Sequence, residues 1–158
     1  MKPLLLALTA ALFASCQSMS EGVLSFEARA LALEDADEDL GGYGGHLALN
    51  TPIVDILVGM DEREIGTLDS TEATLGLRRR FLEIWKLRPF VEANQLIGLD
   101  LFDDVSGWSA GGGALLHLND HLFMNFRVMY EERSTSGLFV DAAQVDGVVG
   151  TVGIGLSL

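Results

Sequence analysis

The residues of this chain able to do chemistry are few and unevenly placed. His46, His117 and His121 are its candidate general bases, and Cys16 is its single thiol. A base activates a nucleophile only from within hydrogen-bond reach. His46 and His117 each precede a tight turn on the polar side of an alternating segment, and His121 opens the next segment. His117 and His121 flank one turn, a spacing that could hold a metal, but polar, turn-facing histidines account for them more simply. The remaining candidates are carboxylates and arginines spaced by even numbers along their segments: Glu27, Arg29, Asp55, Glu72, Arg78, Arg80, Glu92, Arg127 and Glu131. These five acids and four bases nearly cancel, as a structural ion-pair network in a narrow interior requires, because buried charge is tolerated when it is paired. No GxGxxG, P-loop, HExxH or GxSxG pattern is read in the chain. One cysteine also excludes a multi-cysteine zinc or iron–sulfur site. The sequence therefore points to no catalytic residue, no cofactor and no metal.

The elements that must position these charges are strands. Large apolar residues alternate with small or polar ones in eight stretches, the two-residue period of a sheet with unlike faces. The stretches are 22–33, 42–50, 53–61, 71–81, 88–95, 107–118, 121–131 and a last one ending at Leu158. In the last, Val148, Val152, Ile154, Leu156 and Leu158 oppose Val149, Thr151, Gly153, Gly155 and Ser157. Connections at Asn50–Pro52, Leu82–Leu87 and Asn119–Asp120 are short, whereas 34–41, 62–70, 96–106 and 132–146 are longer. Short turns at one end and long loops at the other describe an eight-stranded antiparallel up-and-down barrel.

Such a barrel can face two ways. A soluble barrel packs its large apolar residues inward; a transmembrane one turns them to lipid. The polar face here is rich in Gly, Ser and Thr, which suits a cramped eight-strand lumen. Tyr43, Trp108 and Tyr130 fall on the apolar face toward the long-loop end, where an interfacial aromatic girdle belongs. Charge is segregated as well. The chain holds 10 basic and 23 acidic residues, a net charge of −13. The windows 34–41, 61–70, 96–106 and 131–146 contain sixteen of the acids and two of the bases. With Lys2 set aside, the rest of the chain balances at seven of each. This acidity argues against nucleic acid as a partner. Within the first window, Glu34-Asp35-Ala36-Asp37-Glu38-Asp39 lacks the spacing and glycine of a calcium loop, so it is expected to be a solvated acidic rim.

The N-terminus has the three parts of an export signal: Met1 and Lys2, an apolar run over Leu4–Leu12, and small residues before Cys16. The run is too short to span a bilayer. Phe13-Ala14-Ser15-Cys16 resembles a bacterial lipobox, which implies a signal peptide over 1–15 and a lipidated Cys16 as the first mature residue. A short linker over 16–21 then leads to the barrel, 22–158.

Leu75-Gly76-Leu77-Arg78, running through a turn into Arg88-Pro89-Phe90-Val91-Glu92-Ala93, and the terminal Val152-Gly153-Ile154-Gly155-Leu156-Ser157-Leu158 carry a family resemblance. The chain resembles the small eight-stranded outer-membrane barrels that include the transmembrane domain of outer membrane protein A. That resemblance implies an outer-membrane location and contact with outer-membrane lipid and lipopolysaccharide. It also implies a C-terminal strand read by the barrel assembly machinery, with Leu158 where the family prefers an aromatic. The reading it supports is a non-enzymatic, structural or adhesive barrel without an open pore. Two alternatives stand beside it. One is a lipid-anchored, lipocalin-like periplasmic binder, with the apolar face as its ligand cavity and the loop 96–106 (Leu96, Ile97, Leu99, Leu101, Phe102) as a cover. The other is an acyl hydrolase or acyltransferase acting on lipid A or phospholipid, although no histidine here has the His-x-Ser arrangement of the lipid A deacylase.

Overall fold

The computed structural model describes residues 22–35, 38–65, 68–99, 103–137 and 143–158. The leader 1–15, Cys16 and the linker 16–21 lie outside the described residues. Among the described residues are eight strands: β1 (Leu24–Asp35), β2 (Glu38–Leu49), β3 (Asp55–Ile65), β4 (Leu68–Arg80), β5 (Leu87–Gly98), β6 (Asp103–His117), β7 (Leu122–Gly137) and β8 (Ala143–Ser157). Each pairs antiparallel with its sequence neighbours, and β1 closes on β8 with Ser25 opposite Ser157 and Leu33 opposite Val149. Closure leaves no edge through the body of the sheet, so its backbone polar groups are satisfied internally.

The faces follow the period. On β1, Leu24, Phe26, Ala28 and Ala30 are exposed while Ser25, Glu27 and Arg29 are buried. On β5 burial alternates strictly from Arg88 to Ile97. Every strand turns large apolar side chains outward, including Leu47, Val58, Leu75, Val91, Trp108, Val128 and Val152. The interior is mostly polar; Ala48, Leu57, Leu96, Met129 and Val149 are buried among its polar groups, and at the short-turn end Phe90, Leu115 and Phe123 pack together. This orientation is the reverse of a lipocalin, so the apolar face is not the wall of an internal ligand cavity.

The strands run further than the alternation predicts. β7 continues to Gly137 rather than stopping at 131, and β6 begins at Asp103 rather than 107. The expected long loops shrink accordingly: residues 36–37 separate β1 from β2, and 66–67 separate β3 from β4. Pairing continues through the acid-rich windows, with Glu34 opposite Asp39, Glu62 opposite Thr71 and Glu132 opposite Asp146. Ladder hydrogen bonds need no apolar stripe. Beyond the belt of apolar side chains the sheet persists while the period that reveals it fades.

The loop 96–106 is corrected in the same way. Leu96 is 1% exposed and points into the barrel from β5, whereas Ile97 and Leu99 face outward. Asp103 already belongs to β6, and Leu101 and Phe102 lie outside the described residues.

Candidate functional site: the charged lumen

Alternation turns every second side chain of each strand toward the axis, and closure makes those side chains meet across it. Twelve charged side chains are buried among the described residues, six carboxylates and six arginines. They stack in tiers along the lumen.

The central tier is organised by Glu27 of β1. One of its carboxylate oxygens accepts from Arg78 Nη1 of β4 at 2.6 Å. The other accepts from Arg127 Nη2 and Asn125 Nδ2 of β7, both at 2.6 Å. None of these partners is on a strand adjacent to β1, so the bonds cross the lumen as struts. Arg127 Nη1 also donates to Glu92 Oε1 at 2.8 Å, and Asn94 Nδ2 donates to the same oxygen at 3.0 Å. Arg78 Nε reaches Asp55 at 3.3 Å, and Arg80 Nη2 reaches it at 2.8 Å. Arg78 and Arg127 lie over the Phe90 ring, with centroid distances of 5.3 and 5.9 Å. The ring's negative face thus stabilises two cations where water is scarce.

Above this, Arg29 chelates Asp61 through two nitrogens, and Thr74 Oγ1 donates to Asp61 at 3.0 Å. His46 is fully buried beside them, its Nε2 3.7 Å from Asp61, beyond hydrogen-bond distance. Room for the imidazole comes from Gly59 across the β2–β3 pair, where a Cβ would overlap the ring. In the outermost described tier, Arg63 pairs with Glu131 at 2.9 Å and lies 3.4 Å from Glu72. Arg133 completes this square from β7, 3.2 Å from Glu72 and hydrogen-bonded to Glu131. At the short-turn mouth Arg88 donates to Glu83 at 2.9 Å.

All nine charges singled out in the sequence are placed inward. Glu27, Asp55, Arg78, Arg80, Glu92 and Arg127 are brought into one network; Arg29 joins Asp61, and Glu72 and Glu131 join Arg63 and Arg133. Sequence reading missed Asp61, Arg63, Arg88 and Arg133 as lumen members. The signal was parity. Asp61 and Arg63 continue the inward series Asp55, Leu57, Gly59, and Arg133 continues Arg127, Met129, Glu131, but both series run into windows read as loops.

Of the three histidines, His46 lies in the lumen, His117 lies 3.6 Å from Glu83, and His121 turns its Nδ1 to the Ser157 carbonyl at 3.2 Å. The turn between the last two does not join them around a common point. Among the described residues no group of three or more His, Cys, Asp or Glu is placed to hold a metal. The side chains of 34–39 lie outside those described. Gly107-Trp108-Ser109-Ala110-Gly111 has the Gly-x-Ser-x-Gly spacing of a hydrolase nucleophile elbow, so the reading that the chain lacks this pattern is corrected. That motif needs a strained strand-to-helix turn to present its serine. Here Ser109 lies within β6, buried in the lumen and bonded to Asn94 Nδ2 at 3.1 Å. The spacing carries no elbow.

The three aromatics stand outside, near the acid-rich end. Trp108 and Tyr130 pack with centroids 5.7 Å apart. The Tyr130 hydroxyl donates to Asp146 at 3.0 Å, and the Tyr43 hydroxyl donates to Glu62. Apolar ring below and carboxylate above mark the level at which the outward face changes from oily to polar.

No protein-family model and no curated protein sequence matches the chain. Among solved structures it is similar to a de novo designed transmembrane β-barrel, at 17% identity and a TM-score of 0.61, over 90% of this chain and 98% of that one. It is similar as well to the N-terminal β-barrel domain of Pseudomonas aeruginosa OprF, at 14% identity and a TM-score of 0.60, over 87% and 99% of the two chains. The fold is the eight-stranded up-and-down transmembrane β-barrel. It is reached here by a sequence with little in common with either neighbour.

Proposed function

We propose that the chain is a non-enzymatic β-barrel of a bacterial outer membrane, with a structural or adhesive role at the cell surface and a lumen filled by its own side chains. The observation that carries this reading is the inversion of the sheet: outward positions on all eight strands bear large exposed apolar residues, while their inward neighbours bear buried, paired charge. Water would not leave such a face bare, and hydrocarbon solvates it. Outer-membrane lipid and lipopolysaccharide are its surroundings in this reading, and the alternating Val152–Leu158 strand is what the barrel assembly machinery engages. The leader exports the chain, and Cys16 takes a lipid that tethers the start of the mature protein.

Cell fractionation with a heat-modifiability gel tests this. The expected result is recovery in the outer-membrane fraction and faster migration of the unheated sample. Recovery in the soluble periplasm, or extraction without detergent once Cys16→Ser removes the anchor, would overturn it.

A further inference from the structure

The connection from β4 to β5 contains a feature that the barrel itself does not require. Ile84 and Leu87 bridge one another, N to O at 2.9 and 3.1 Å, so that Trp85 and Lys86 form a two-residue hairpin tip. The Lys86 carbonyl accepts from His117 N at 2.8 Å, which fastens the tip to β6. Trp85 has φ 64°. Such a tip suits Asn or Gly, and a bulky residue in this region is strained. The side chain is also 95% exposed, so packing within the fold returns nothing for that strain. An unfavourable backbone bearing a large aromatic that the protein does not touch points to a contact outside the protein.

The surroundings specify its chemistry. Leu82 and Ile84 on the same connection and Ile53 on the β2–β3 turn are exposed, continuing the lipid-facing wall of Leu75, Leu77 and Val91 past the strand ends. Two cations flank this apolar tip. Lys86 is exposed beside Trp85, and Arg79 stands on the outer face of β4, its Nη1 donating to the Ile53 carbonyl at 3.2 Å. Glu83 turns inward to Arg88, and Asp120 on the β6–β7 turn is an exposed acid at the same end. Tryptophan favours the boundary between acyl chain and headgroup. Each Lys or Arg close to an anionic lipid surface favours binding by about 1 kcal/mol, roughly fivefold.

We propose that the β4–β5 turn is a foot that binds anionic phospholipid headgroups in the leaflet on the short-turn side, with Trp85 seated at the headgroup boundary and Arg79 and Lys86 against the phosphates. This rests on the membrane-barrel reading above. The full chain carrying Trp108→Phe has Trp85 as its one tryptophan. It would be folded into vesicles of phosphatidylcholine, alone or mixed with phosphatidylglycerol, with either lipid brominated as the quencher and heat-modifiable migration reporting insertion. Quenching of Trp85 is expected to be stronger from brominated phosphatidylglycerol than from brominated phosphatidylcholine at equal fraction. Arg79→Gln and Lys86→Gln are each expected to lower that preference roughly fivefold. In the Trp85→Phe variant, Trp108 should show no such preference. An inserted barrel whose Trp85 is unquenched and emits as in water would overturn the proposal, leaving the tip to a protein partner. Equal quenching by the two lipids, or the same preference at Trp108, would overturn it too. Failure to form the heat-modifiable species would instead bring down the membrane-barrel reading, and this inference with it.

Discussion

Glu27→Gln tests the idea that the lumen is a dry, paired network. The wild-type side chain is fully buried and accepts three hydrogen bonds, each at 2.6 Å, from Arg78, Arg127 and Asn125. Glutamine keeps the shape, removes the charge and turns an amide N–H₂ toward groups that are themselves donors. Removing one partner of a buried pair costs about 3–5 kcal/mol, since the remaining charge is stranded. Here neither arginine is left alone: Arg78 keeps Asp55 at 3.3 Å and Arg127 keeps Glu92 at 2.8 Å. The cost should therefore fall at the lower end, about 3 kcal/mol, or roughly 100-fold in the folding equilibrium. Urea titration of folding in lipid vesicles, scored by the fraction of fast-migrating unheated protein, measures it. Because Glu27 and Arg127 share one hydrogen bond, the Glu27→Gln/Arg127→Met double variant should be less destabilised than the sum of the two single changes. A loss below about 1 kcal/mol, the level of a solvated surface pair, would refute the reasoning, because the lumen would then be wet enough to screen its charges.

Three further outcomes are expected. Val152→Arg places a cation midway along the exposed face of β8 and should cost about 2–4 kcal/mol if that face meets the bilayer midplane, read by the same titration. Gly59→Val drives a branched side chain into the His46 ring and should destabilise by about 1–3 kcal/mol; the Gly59→Val/His46→Ala double variant should recover the ring's share of the loss and keep the share due to the Gly45 carbonyl oxygen, 2.7 Å from an added Cβ. In planar bilayers the purified protein should give no steady open-channel current, since buried, paired charges and the Phe90, Leu115 and Phe123 cluster occupy the lumen; a large, steady conductance would contradict a lumen filled by its own side chains.

Leu24, Phe26 and Ala28 alternating with Ser25, Glu27 and Arg29 were sufficient, as a string of letters, to predict a strand and assign its faces. Repeated eight times with turn residues between, that pattern leaves little choice but an antiparallel barrel, since the side-chain period of a strand is two whatever its neighbours are. Parity alone also sent Glu27, Arg78, Glu92 and Arg127 to one side. What parity cannot express is depth and partner. Glu27 meets Arg78 and Arg127 from 51 and 100 positions away because hairpin turns and the β1–β8 closure fix the register of every ladder, and register sets the height at which each inward side chain enters the lumen. The same closure drew Asp61, Arg63 and Arg133 into the charged tiers and Leu96 into the interior, all from windows read as loops. There the sheet is held by backbone hydrogen bonds, which carry no side-chain signature. The strain at Trp85 was equally hidden: a tryptophan in a turn is unremarked in a sequence, and only the backbone shows that its conformation is one a tryptophan rarely adopts.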